Sequence, residues 1–129
     1  SALYPFGHGL SYTEFSYSAI ELSDTEMTAE GSINASVLLT NKGKVEGKEV
    51  VQLYLQDPYA SAVRPVRELK GFELVSLKPG ESKRVSFTID EKMLQFYSAN
   101  NTWESEAGDF NIYIGTDSTT NRKANFILN

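Results

Sequence analysis

The residues able to carry chemistry are few. His8 is the only histidine and cysteine is absent. No Ser-His-Asp or Cys-His arrangement and no multi-histidine metal site can therefore be assembled within the chain. Thiol nucleophiles, iron–sulfur ligation and disulfide scaffolds are excluded with them. A single histidine in an aromatic, glycine-rich stretch reads as a packing residue. Glu104 and Glu106 are spaced to share a strand face, and paired carboxylates are the groups that hydrolyse a glycosidic bond. Because they flank a turn close to Asp109, they read instead as solvated surface charges. Asp24 and Glu26 make a weaker pair. Gly7-His8-Gly9-Leu10-Ser11-Tyr12 begins like a dinucleotide-binding loop but lacks the third glycine, the preceding strand and the following helix. Asp117-Ser118-Thr119-Thr120-Asn121 resembles a calcium loop in composition only, without its spacing or closing Glu. Asn34-Ala35-Ser36 and Asn100-Asn101-Thr102 match the N-glycosylation triplet, the first inside a strand-like run. From the residues alone, the chain offers no catalytic residue, no metal ligand set and no cofactor site.

The elements that would have to position any site point to one domain. Of 129 residues, 33 are Leu, Ile, Val or Phe, enough for one core without a metal or disulfide staple. A net charge of -5 argues against nucleic acid or an anionic membrane as partner. No apolar run approaches the roughly 18 residues of a membrane span, and no basic-then-apolar leader is visible, so a soluble chain is expected. It opens on Ser1-Ala2 rather than Met, which reads as a processed or excised piece of something longer.

Residues 1–14 mix Pro5, Gly7 and Gly9 with aromatic side chains and carry no charge before Glu14. They read as a connector that lies against something, because Tyr4, Phe6 and Tyr12 would prefer to be covered. From Phe15 to the end the period is mostly two. Clear alternation covers residues 33–39, 51–55, 85–89 and 110–114, with weaker runs at 15–22, 67–75 and 123–128. Seven short strands with turn chemistry between them predict an all-β, antiparallel two-sheet sandwich over 15–129. Lys78-Pro79-Gly80-Glu81 suits a type II turn, and residues 90–96 are the one helical stretch, with Asp90 as its cap.

Out-of-phase aromatics remain. If Val51, Leu53 and Leu55 face the core, Tyr54 faces out, and Tyr113 does likewise beside Ile112 and Ile114. On neighbouring strands the two tyrosines would form one external patch, suited to docking a domain or stacking on a sugar ring, or else ordinary surface. Trp103 is expected in the core because a lone Trp buries a large area.

Ordered motifs along the whole chain resemble one family. Leu3-Tyr4-Pro5-Phe6-Gly7-His8-Gly9-Leu10-Ser11-Tyr12-Thr13-x-Phe15 is similar to the signature that leads into the C-terminal fibronectin type III-like domain of glycoside hydrolase family 3. Thr40-Asn41-x-Gly43-x-x-x-Gly47-x-x-Val50-Val51-Gln52-Leu53-Tyr54, Arg64-Pro65-x-x-x-Leu69-Lys70-Gly71-Phe72, Leu77-Lys78-Pro79-Gly80-Glu81, Glu106-x-Gly108-x-Phe110 and Ile114-Gly115-Thr116-Asp117 resemble that domain's later segments in order. His8 stands where relatives often have Tyr. The resemblance is strongest to bacterial periplasmic β-glucosidases. It implies a retaining β-glucosidase or β-xylosidase whose nucleophile and acid/base lie on a barrel and an α/β domain outside this chain, so no catalytic residue carries over. It also implies a periplasmic or secreted setting. The expected role is to brace those two domains, with Tyr4, Pro5, Phe6 and Tyr12 contacting the α/β domain and Arg64 and Arg67 reaching across the seam, where a guanidinium can pair bidentately with a carboxylate. The alternative is a carbohydrate-binding or adhesion module built on Tyr54, Tyr113 or Trp103, with weak sugar contact.

Overall fold

The structure, a computed structural model, describes residues 13–58, 67–97 and 101–129. Eleven strand segments run along them. β1 (Phe15–Tyr17), β2 (Glu21–Leu22), β4 (Ser32–Asn41) and β7 (Ser82–Asp90) make one sheet, in which β4 takes β7 along one edge and β1 and β2 along the other. β3 (Glu26–Met27), β11 (Lys123–Leu128), β10 (Gly108–Gly115), β5 (Gly47–Gln56) and β6 (Glu68–Leu77) make the second, in that order. β8 (Phe96–Tyr97) and β9 (Trp103–Glu104) pair only with each other.

All seven expected runs are strands, and the two-sheet sandwich stands. The count of about seven rises to eleven segments because the run over 15–22 is split and the two-residue strands β3, β8 and β9 are added. At Ser18 the side chain intrudes on the ladder: its hydroxyl accepts from the Leu38 amide at 2.8 Å, which turns a continuous strand into β1 and β2. The chain then crosses to the other sheet, where β3 lies parallel to β11. Among the described residues that pair is the one departure from the antiparallel arrangement expected of the whole.

Alternation places the core between the sheets. Ile33, Ala35, Val37 and Leu39 of β4 meet Val51, Leu53 and Leu55 of β5, with Val85 and Ile89, Phe110, Ile112 and Ile114, and Phe126 and Leu128 completing the layer. The Phe110 and Phe126 rings stack at 5.6 Å. Fully burying each such side chain contributes about 1.5–3 kcal/mol, so the sandwich is held by this layer. At the Lys78–Glu81 turn, Gly80 has φ 80° and the Glu81 amide donates to the Lys78 carbonyl at 3.0 Å, as the Pro-Gly pair predicts. Residues Glu91–Leu94 form a single 3-10 turn, and Asp90 caps it by accepting from the Met93 amide.

Trp103 corrects the sequence reading: its side chain is not in the core but 64% exposed. β9 is two residues long and bonded only to β8, so neither main sheet offers it an inner face.

Candidate functional site

Three places bring together the residues singled out by the sequence. The first is the end of the sandwich where the chain comes in. Asn41 ends β4 on its inward phase and is fully buried. Its amide nitrogen donates to the carbonyls of Val45 at 3.0 Å and Leu77 at 2.9 Å. Its oxygen accepts from the Thr13 hydroxyl at 2.7 Å and the Gly43 amide at 2.8 Å. One side chain thus ties Thr13, the 43–45 loop and the end of β6 to β4 and uses its full capacity. Gly43 and Gly47 explain why Thr13 can lie there: a Cβ at either would fall 1.8 Å and 2.3 Å from Thr13 atoms. The Thr-Asn-x-Gly-x-x-x-Gly motif is a slot for the last residues of the connector. Its chemistry is positional; four neutral hydrogen bonds move no proton.

The second place is the outer face of the five-stranded sheet. Tyr54 and Tyr113 are direct cross-strand partners, so their adjacency is as expected. Their exposure is corrected: they are 9% and 5% exposed. Arg67 is the physical reason for Tyr113. Its guanidinium lies 3.6 Å over the Tyr113 ring centroid and donates to the carbonyls of Ser118 at 2.8 Å and Thr120 at 2.7 Å. Tyr54 sits in register between Tyr113 on one strand and Leu69 on the other. Burial, and then the charge of Asp117, push the Tyr54 phenol above its ordinary range. The Tyr113 hydroxyl donates to Gln56 at 3.0 Å, so both the ring and its polar tip are engaged. Within this domain Arg67, one of the residues expected at an interdomain seam, pins the 118–120 loop to the sheet. Tyr4, Pro5, Phe6, Tyr12, His8 and Arg64 lie outside the described residues.

The acidic residues form the third group. Glu104 accepts from the Thr102 hydroxyl, and both Glu104 and Glu106 are half-buried. Asp24 and Glu26 border an open depression with Met27, Thr28 and Asn129, where Glu26 accepts from the Asn129 amide at 2.9 Å. Asp117 closes its own turn by accepting from the Thr119 amide at 2.9 Å and hydroxyl at 2.6 Å. Those two hydrogen bonds hold its carboxyl below the usual range. Asn34 is exposed on β4 and accepts from Thr88 at 2.8 Å. Among the described residues no group of three or more His, Asp or Glu side chains could hold a metal ion.

One set of surface residues escaped the sequence reading. Val50, Leu69, Phe72 and Leu74 of β5 and β6 are 41%, 51%, 69% and 60% exposed. The signal for them lies in β6, where apolar side chains occupy both phases of the alternation, Phe72 and Leu74 on one and Val75 and Leu77 only one residue away on the other. An edge strand with one solvated face carries them on one phase.

Comparison with known proteins follows this geometry. A family model described as the fibronectin type III-like domain matches residues 49–118. The chain is 51% identical over 126 residues to a periplasmic beta-glucosidase of Salmonella typhimurium, covering 98% of this chain and 16% of that protein. It is 46% identical over 116 residues to a beta-xylosidase of Formosa agariphila, covering 90% and 16%. Among solved structures, a beta-glucosidase from Listeria innocua in complex with isofagomine superposes with a TM-score of 0.84 at 38% identity, over 97% of this chain and 17% of that one. A GH3 beta-glucosidase from Bifidobacterium adolescentis does so with a TM-score of 0.81 at 35% identity, over 97% and 18%. The chain thus spans about a sixth of the length of the relatives it matches.

Proposed function

Because this chain belongs to the fibronectin type III-like domain family, we propose that it serves as the non-catalytic C-terminal accessory domain of a family 3 glycoside hydrolase of the retaining β-glucosidase or β-xylosidase type, bracing the catalytic barrel and α/β domains of the same polypeptide. The observation that carries this reading is the proportion of the match: nearly the whole chain aligns with only 16% of a beta-glucosidase. Two carboxyl groups that must stand about 5–5.5 Å apart on separate domains depend on the angle between those domains. A slot that fixes where the chain comes in, as Asn41, Gly43 and Gly47 do for Thr13, suits a part whose work is alignment. Tyr4, Pro5, Phe6, Tyr12, Arg64 and Arg67 are the residues assigned to the contact. The setting is periplasmic or secreted, following the relative named for the periplasm.

The test is hydrolysis of p-nitrophenyl β-glucoside by the full-length polypeptide with and without residues 13–129. A misplaced pair of catalytic groups loses on the order of 100-fold in kcat/KM; unchanged kcat/KM without the domain overturns the reading. Arg64→Ala in the full-length protein tests the seam by itself, and unaltered kcat, KM and melting temperature would remove Arg64 from it.

The carbohydrate-binding alternative now rests on Trp103, which is exposed, since Tyr54 and Tyr113 are covered. Titration with cellobiose decides it. Binding tighter than about 1 mM that is lost in Trp103→Ala would favour that alternative.

A further inference from the structure

The outer face of the β5–β6 pair has the build of a contact surface. β6 is ten residues long and ends its sheet, a position at which exposed apolar side chains invite association. A bulge enlarges the apolar area. Leu53 pairs with Gly71 and Tyr54 with Leu69, so Lys70 has no partner in the ladder. One extra residue reverses the phase of everything beyond it. Leu69, which otherwise shares the inward phase of Val75 and Leu77, is turned out to join Phe72 and Leu74. Val50 stands directly opposite Leu74 and extends the stripe onto β5. Glu68 and Glu73, on the opposite phase of the same edge strand, pair with Lys70 at 3.2 Å and with Lys83 of β7 at 2.9 Å. A contiguous exposed apolar stripe on an edge strand marks a contact surface.

We propose that this face seats against the remainder of the same polypeptide. The proposal rests on the accessory-domain reading and names the surface it uses. Two observations select this occupant over a second copy of the chain. About five-sixths of the length of the matched relatives lies outside this chain, which leaves ample partner surface on one polypeptide. In addition, Thr13 packs on the inward side of Gly47, the first residue of β5, the strand whose outward phase carries Val50. On the accessory-domain reading the remainder is covalently tethered to this domain. A tether gives an effective concentration in the millimolar range, so a patch of four side chains suffices. Free copies at micromolar concentration need a larger interface.

Hydroxyl-radical footprinting of the full-length polypeptide tests this, with each residue's oxidation rate referred to its own rate in urea. We expect Phe72 and Leu74 to be protected at least about tenfold, whereas side chains as open as they are in this domain would be protected less than about twofold. Protection below twofold overturns the proposal. Protection that disappears on roughly 100-fold dilution also overturns it, because contact within one chain is independent of concentration. Failure here is distinguishable from failure of the accessory reading: if Phe72 reacts freely while removal of residues 13–129 still costs activity, the domain braces through another face.

Discussion

On the outer face of the four-stranded sheet, Thr88 donates to Asn34 at 2.8 Å, Arg84 reaches Glu21 at 3.1 Å and Ser36 at 3.2 Å, and the Thr40 and Ser82 hydroxyls meet at 2.7 Å. On the β5–β6 end of the other sheet, the equivalent outward positions hold Val50, Phe72 and Leu74, which water cannot satisfy. Both faces rest on the same core and share the same pleat. The first is finished for water: its polar side chains bond across strands, each pair contributing a few tenths of a kcal/mol to about 1 kcal/mol. The second is finished for another surface. A sandwich can thus carry two exteriors, and the choice is made strand by strand in the outward phase, which the core does not constrain.

The largest effect should come from a residue that supports both faces at once. Asn41→Leu leaves the Val45 and Leu77 carbonyls, the Gly43 amide and the Thr13 hydroxyl without their partner. At about 1–3 kcal/mol per orphaned buried group, with some relaxation, the 129-residue chain should lose at least about 3 kcal/mol in urea unfolding. A loss under about 1 kcal/mol would show that the two sheets are framed independently. Arg67→Met keeps an apolar stem over Tyr113 but removes two hydrogen bonds and the ring contact, and should cost about 1–2 kcal/mol. Amide exchange should quicken at 118–120 and stay unchanged on β4 and β7; equal quickening on both sheets would break the comparison.

Rewriting the apolar exterior in polar side chains should cost less. Phe72→Thr with Leu74→Thr is expected to change unfolding stability by under about 1 kcal/mol, because both side chains are already exposed, while binding of the hydrophobic dye ANS falls. A loss above about 2 kcal/mol would mean that they hold the fold itself. The smallest effect concerns Asp117. Its carboxyl is held below the ordinary 3.8 by the Thr119 hydroxyl and amide. Its contribution is therefore complete above that value and disappears as pH falls through the depressed one. Tyr54 is the reverse case, raised from 10.0: its contribution is complete below 10 and is lost as pH climbs through the raised value. Asp117→Asn should flatten the acid limb and shift the alkaline midpoint slightly upward in pH-dependent unfolding, because Tyr54 then ionises at a smaller penalty; an unaltered acid limb would remove Asp117's turn from the account.

What the sequence showed of this molecule was its local physics. Alternation in residues 33–39 and 110–114, φ above zero at Gly80 and the Asp90 cap depend on neighbours within a few positions, and each was legible. The exposure of Tyr54 and Tyr113 was not, because Arg67 covers Tyr113 from 46 positions away and holds carbonyls 51 and 53 residues on. Nor was the work of Asn41, whose partners lie up to 36 residues away. Trp103 was misplaced because large area predicts burial only where an inner face exists to receive it. The β5–β6 stripe was half visible: β6 shows apolar residues on both phases, but the bulge that turns Leu69 outward is a property of the ladder with β5, not of either strand alone.

The parallel pairing of β3 with β11 has a mechanical meaning. The amide of Ile127 bonds the Thr25 carbonyl and that of Asn129 bonds the Met27 carbonyl, both at 2.9 Å, and the two strands point the same way. Tension drawn on β3 toward its start and on β11 toward its end slides one past the other. The bonds then share the load and must give way together, in shear, whereas an antiparallel hairpin pulled at its open end unzips one rung at a time. Resistance to pulling is governed by the rate of that crossing rather than by equilibrium stability. This short pair would therefore act as a latch against stretching out of proportion to the area it buries.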